Sequence, residues 1–152
     1  MKTTCRYCGI VDKPHDCPRK PKRHRTKNKY RQDVSVYNSK TYKQERSNIM
    51  DTYNNNCLWG FYVVGHVRAA EEVHHIIELM DNPNLGDEPS NMIPLTKDAH
   101  DFVHMLYKAG YKKETQELLR QFKADYEAGK YELGKYRSKV DEIVSPLGVE
   151  IF

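Results

Sequence analysis

The segment Cys5-Arg-Tyr-Cys8-Gly-Ile-Val-Asp-Lys-Pro-His15-Asp-Cys17 gathers three of the chain's four cysteines into its first 17 residues. It reads C-x2-C-x6-H-x-C. A stretch this short, with few apolar residues, cannot fold around a core of its own. Three thiolates and one imidazole can instead close a tetrahedral zinc site, and the metal's binding energy then becomes folding energy. The first pair has the spacing of a zinc knuckle, with Gly9 free to make the turn that follows. Clustered cysteines in a chain with no apolar leader argue for metal rather than disulfides. Residues 1–17 are therefore expected to form a zinc-knuckle-like segment held by Cys5, Cys8, His15 and Cys17. The alternative is an unstructured tail with free thiols, and His24 is a less favoured fourth ligand.

Charge divides the chain just beyond this segment. Residues 1–46 hold 14 Lys/Arg against 4 Asp/Glu, and the remaining residues 11 against 17. A basic arm on a mildly acidic body points to a polyanionic partner, most often nucleic acid. Residues 18–40 read as a basic linker. Within it Lys20, Lys22, Arg23, Arg25, Lys27 and Lys29 are placed to contact phosphates, which adds affinity without reading sequence. The apolar runs are too short for a transmembrane span, and MKTTCRYCG lacks a signal-peptide core. The expectation is no membrane partner and a cytoplasmic location.

The body reads as α+β. Residues 41–53 fit a helix with Ile49, Met50 and Tyr53 on one side, stopped at Asn54-Asn55-Asn56. Residues 57–70 mix strand formers with Gly60 and Gly65, which favours a hairpin or irregular loop over a helix. Val73–Ile77 reads as a strand, 81–90 as a loop, and 91–95 as a short extended piece that Pro94 marks as an edge or end. Thr96 is a plausible N-cap for a helix running to about Lys108 and stopping near Gly110. A second helix spans 112–128, with Leu118, Leu119, Phe122 and Tyr126 inward. A further helical piece precedes Pro146. The organisation expected is a core over 41–110 and a helical extension over 111–152.

Polar residues accumulate where these elements meet. His74 and His75 end the strand, and neighbours on a strand point to opposite faces. His100 and His104 share one helix face at i, i+4, the spacing by which a helix offers two nitrogens to one metal. One strand histidine can join them as a third ligand. The other then remains a base with an ordinary value near 6.5, suited to taking a proton from water. His66, His24 and Glu78 carry no assigned role, although Glu78 is placed to partner an imidazole.

The series VHHI, NMIPL and DAHDFVH resembles the HNH nucleases, whose catalytic unit is the ββα-metal (His-Me finger) fold. The resemblance covers about residues 57–106, with the motif over 73–106, and short phage-encoded members are the nearest in kind. It implies that His75 is the general base that activates water against a phosphodiester. Asn91 matches the middle letter, which fixes the loop and orients the base through a hydrogen bond. His100 matches the final letter, a metal ligand. His74 matches the ligand before the base, and His104 the extra helix histidine that completes a three-histidine site; His104 contacting the substrate is the other reading. Two departures stand out. The Cys-x-x-Cys pairs that bind a core zinc in many members are missing: Cys57-Leu-Trp-Gly60 lacks its second cysteine and Leu95–His100 has none. Packing around Trp59 and Phe61 must then replace that zinc, with Cys57 as a buried small residue. The other departure is His rather than Asp at position 74. Neutral imidazoles favour Zn²⁺, Ni²⁺ or Co²⁺ over Mg²⁺, while members with Asp there look like Mg²⁺ or Mn²⁺ enzymes.

The resemblance implies a metal-dependent DNA endonuclease or nickase, phage-encoded and located in the host cytoplasm. Its cofactors are one divalent ion (Zn, Ni, Mn or Mg) at the histidines and zinc at the N-terminal cluster. Double-stranded DNA is the expected partner, together with the terminase large subunit or other packaging proteins. The rivals are a non-catalytic zinc- and DNA-binding packaging accessory and a nuclease acting on RNA.

Overall fold

The computed structural model describes residues 1–19 and 32–152. Two compact units divide the chain, Met1–Tyr30 and Arg31–Phe152. Lys20, Lys22, Arg23, Arg25, Lys27 and Lys29, read above as phosphate contacts, lie outside the described residues, as does His24.

In the first unit, β1 (Lys2–Cys5) pairs antiparallel with β2 (Gly9–Asp12) in a register that sets Cys5 opposite Gly9. The hairpin carries the Cys5/Cys8 pair at its turn and is followed by His15 and Cys17. None of its described residues is fully buried, so no apolar core accounts for its fold.

The second unit is mixed α+β. Helices α1 (Gln32–Asn38) and α2 (Lys40–Thr52) lead in, with Ser39 capping α2 by accepting from the Tyr42 amide. Strand β3 (Glu72–His75) pairs antiparallel with β4 (Met92–Leu95), setting His74 opposite Ile93 and His75 opposite Met92. Helix α3 (Lys97–Leu106) follows at once, with the Thr96 hydroxyl accepting from the Ala99 amide as its N-cap. Beyond a wider helical turn, where Gly110 takes φ 97°, run α4 (Lys112–Glu127) and then α5 (Arg137–Val144). No helix among the described residues is long and apolar enough to cross a membrane.

One buried cluster joins these elements. Ile49 and Met50 enter it from α2, Ile93 and Leu95 from β4, Val103 and Leu106 from α3, and Leu118, Leu119 and Phe122 from α4. Burying side chains of this size stabilises by roughly 1.5–3 kcal/mol each before entropy is subtracted, so this unit has its own means of folding. Trp59 is fully buried against Phe102 and Phe122, with ring centroids 5.5 and 6.1 Å away. Cys57 is fully buried, and its sulfur accepts from the amides of Thr96 (3.2 Å) and Gly60 (3.3 Å).

Two stretches differ from the sequence-based reading. Residues 32–38, taken as part of the basic linker, form α1. Residues 60–64, expected as a hairpin or loop, form a wide helical turn. Phe61, Tyr62 and Val63 are consecutive and all buried. A half-exposed strand would have alternated, whereas a short helical piece enclosed by α4, α5 and their neighbours buries all three, and tertiary packing overrides strand propensity.

Candidate functional site

His74 and His75 end β3 and are both buried, at 2% and 4% exposure. Alternation along the strand sends them to different neighbours. The His74 ring meets His100 (5.1 Å between centroids) and His104 (5.0 Å). The His75 ring instead stacks on Tyr42 of α2 (5.6 Å) and meets the edge of Tyr37 of α1 (5.8 Å). Both histidines, with Glu78, His100, His104 and Tyr37, line one cavity of about 250 Å³.

One nitrogen from each of His74, His100 and His104 lies within 4.8 Å of the other two, a grouping able to hold a metal ion. The i, i+4 pair stands beside the buried stripe of α3 and leaves both rings half-exposed. Nδ1 of His100 faces the Glu72 carboxylate at 3.3 Å, and Nδ1 of His104 faces Glu78 at 3.3 Å. Carboxylates behind imidazoles are the usual support of metal-ligating histidines, since they orient the ring and raise its basicity. Glu78 also pairs with Lys112, which bridges to Asp81. Burial, then the two neighbouring imidazoles, holds His74 well below the ordinary histidine range. Burial lowers His104 as well. Neutral rings are the form that binds a metal.

His75 does not keep the ordinary value expected for it. Burial lowers its pKa, and the hydrogen bond to Gly86 opposes that shift. Nε2 lies 2.7 Å from the Gly86 carbonyl oxygen. A carbonyl can only accept, so Nε2 carries the hydrogen and Nδ1 holds the lone pair of the neutral ring. The hydrogen bonds of the Asn91 side chain go elsewhere than to His75. Its Oδ1 accepts from the Ile77 amide (2.7 Å), and its Nδ2 donates to the carbonyls of Ile77 (2.9 Å) and Leu85 (3.3 Å). It thus clips the two ends of the 76–91 loop together, and Gly86, next to Leu85, delivers the carbonyl that holds His75. A Cβ on Gly86 would stand 2.7 Å from Val36 Cγ1. The loop therefore rests on α1 at a place where only glycine fits.

In the N-terminal unit the donors of Cys5, Cys8, His15 and Cys17 also lie within 4.8 Å of one another, a possible metal site compatible with zinc. Cys17 Sγ is 3.5 Å from both Cys5 Sγ and Cys8 Sγ. That is too long for an S–S bond, and close to the separation of about 3.8 Å between two sulfurs bound tetrahedrally at ~2.3 Å. His15 Nε2 is buried and has no hydrogen-bond partner among the described residues, which costs free energy unless a ligand occupies it. The Tyr7 amide is the main cause that lowers the Cys5 thiol to about 6, toward the thiolate a metal requires.

Glu72, Gly86 and Tyr107 had no place in the sequence reading. Two of them carried a signal: Glu72 lies two residues before His74, on the same strand face, and Tyr107 lies three after His104, on the same side of the helix. Nothing local marked Gly86.

The chain matches no family model, no curated protein and no solved structure in the three comparisons made.

Proposed function

We propose that the second unit is a metal-dependent endonuclease or nickase of the HNH kind, built on a ββα-metal core in which β3, β4 and α3 are the three elements. The observation that carries this reading is the division between adjacent histidines. His74 joins a three-imidazole cluster, and His75, held through Nε2 on the Gly86 carbonyl with its Nδ1 left as the lone-pair nitrogen, lines the same cavity.

The residues fit the metal: three nitrogens converge, and two of them have carboxylates behind their rings. His74, His100 and His104 would hold the ion, and three neutral imidazoles favour zinc, nickel or cobalt over magnesium. A divalent cation there would supply positive charge to a phosphate oxygen and to the leaving oxygen. His75 Nδ1 takes the proton of a water whose oxygen attacks phosphorus, and the bond from phosphorus to the leaving oxygen breaks. Its Nε2–H remains on the Gly86 carbonyl, and that hydrogen bond strengthens as the ring gains charge. Asn91 acts at one remove, holding the loop that presents Gly86.

The N-terminal zinc-type cluster and the basic run after it would form an arm that binds the phosphate backbone of duplex DNA. A phage origin, and action with a terminase large subunit or another packaging protein, belong to the same proposal and rest on the resemblance alone.

The test is nicking of supercoiled plasmid by the full chain with Zn²⁺, Ni²⁺, Mn²⁺ or Mg²⁺ supplied, alongside structured RNA. The wild type nicks DNA, and His75→Ala loses roughly 10²–10⁴-fold in rate. A mutant that nicks as well as the wild type defeats the catalytic assignment. Cleavage of RNA in preference to DNA moves the substrate class, and a chain that binds DNA without cutting it is the packaging accessory.

A further inference from the structure

Ile76, the residue after the histidine pair, has a fully engaged peptide. Its N–H donates to the Asn91 carbonyl (2.8 Å). Its carbonyl accepts from the Tyr107 hydroxyl (2.7 Å) and from Gln116 Nε2 (2.9 Å). The carbonyl has no hydrogen of its own, so the single hydrogen of Tyr107 lies on the line to Ile76. The same phenol oxygen is 3.3 Å from His74 Nε2. With its hydrogen committed, Tyr107 can only accept there, so the hydrogen of that contact must come from the imidazole.

We propose that Tyr107 is a positioning residue: it holds His74 as the Nε2–H tautomer and so turns the Nδ1 lone pair toward the three-imidazole cluster. The relay runs from His74 Nε2–H to the Tyr107 oxygen, and from the Tyr107 hydrogen to the Ile76 carbonyl. Which nitrogen of a ligating histidine meets the metal is set by the hydrogen bond its other nitrogen makes. His100 and His104 have their Nδ1 atoms on Glu72 and Glu78 and so present Nε2. The cluster would therefore be mixed, with Nδ1 from the strand and Nε2 from the helix. His75 takes the same tautomer as His74, through Gly86. Both strand histidines then keep their hydrogen on Nε2, one held by a phenol and one by a backbone carbonyl. The metal-facing part of this inference rests on the metal reading above; the tautomer does not.

The experiment is ¹⁵N NMR of the imidazole nitrogens in the full chain, first stripped of metal and then titrated with Zn²⁺, with His74 assigned by loss of its signals in His74→Gln. The wild type without metal should show His74 protonated on Nε2 alone. Zinc should then shift Nδ1 of His74 and Nε2 of His100 and His104. In Tyr107→Phe the ring still fills its site and Gln116 still serves Ile76. His74 should become a mixture of tautomers, and zinc at this cluster should bind roughly 10- to 100-fold more weakly. Gln116→Leu, which removes the other donor to Ile76 and leaves Tyr107, should keep the single tautomer. A metal-free wild type with His74 protonated on Nδ1 overturns the proposal, even if Tyr107→Phe does not fold. So does a Tyr107→Phe protein whose tautomer and zinc affinity are unchanged. Zinc that leaves the histidine signals untouched, in a protein that shows the Nε2–H form, defeats the metal reading and leaves the role of Tyr107 standing.

Discussion

Cys5 and Cys8 sit on a two-stranded hairpin and His15 and Cys17 just after it, with no fully buried residue among those described. His74, His100 and His104 stand on a strand and a helix anchored by Ile93, Leu95, Val103 and Leu106, all at 0% exposure. Both sets bring their donors within 4.8 Å, yet under the proposed reading the two would depend on metal in opposite ways. A two-stranded hairpin alone is marginal in water, so in the first unit a metal would supply what packing does not. In the second unit packing comes first, and the donors are what the packed elements leave facing a cavity. Donor geometry alone does not separate a site that would hold its own unit together from one that a packed unit holds in place; the burial around it does.

The sharpest way to break this contrast is to remove metal. Chelation should unfold the first unit, where a structural zinc contributes about 10–16 kcal/mol in comparable peptides. The second unit should keep its helical circular dichroism and its protected amides. Hydrogen exchange resolved by unit reads both at once, and a second unit that unfolds with the first would erase the distinction. Next in size, Phe122→Ala should cost the second unit about 3–5 kcal/mol, because Phe122 is fully buried against Trp59 and Tyr62 and its loss leaves a cavity. Zinc binding at the first unit should not change, and denaturant melts with zinc titrations on the same protein check this.

Gly86→Ala sharpens the contrast inside the second unit. The added methyl meets Val36 at 2.7 Å, so α1 or the loop must shift, at about 1–3 kcal/mol. The carbonyl that holds His75 moves with it, and nicking should fall further than stability accounts for. Val36→Ala in the same chain should restore much of both.

The smallest effect is a pH dependence of the packed unit. Burial lowers Lys123 to about 8. The unfolded chain therefore binds more protons than the folded one from there up to 10.5, and stability rises with pH in that window. Buried Tyr53, Tyr62 and Tyr107 are raised above 10. The folded state keeps their protons longer, so stability falls again above pH 10. Melts between pH 7 and 10 should show a gain on the order of 1–2 kcal/mol that Lys123→Met abolishes.

Much of the second unit was legible because local signals agreed with the fold. The Thr96 cap, helical periodicity and the edge proline located α2, α3, α4, β3 and β4 to within a residue or two. Helix α1 was not legible, since Val36 is fixed by a glycine 50 residues away in sequence, and no local pattern reports such a contact. The wide turn at 60–64 was misread because Phe61, Tyr62 and Val63 prefer strands in isolation. At the site, spacing singled out His100 and His104, and strand alternation allowed only one of His74 and His75 to join them; the resemblance to the HNH nucleases named His74 as that one. The tautomers were beyond reach. They follow from Gly86, Tyr107 and the carboxylates of Glu72 and Glu78, whose partners only the folded chain supplies. The burial that lowers His75 is equally a product of Tyr37 and Tyr42 closing over it.

The central claim is that neighbouring histidines divide the work of strand cleavage. It is tested most directly by measuring bound metal and plasmid nicking on the same preparations of wild type, His74→Ala and His75→Ala, with Cys5, Cys8, His15 and Cys17 intact in all three. The account predicts that His74→Ala loses the metal held at the imidazoles, and cleavage with it, while retaining zinc at the thiols. His75→Ala should keep both metals and lose cleavage. If His75→Ala cleaves at the wild-type rate, or if His74→Ala holds as much metal as the wild type, the division of labour between His74 and His75 is contradicted.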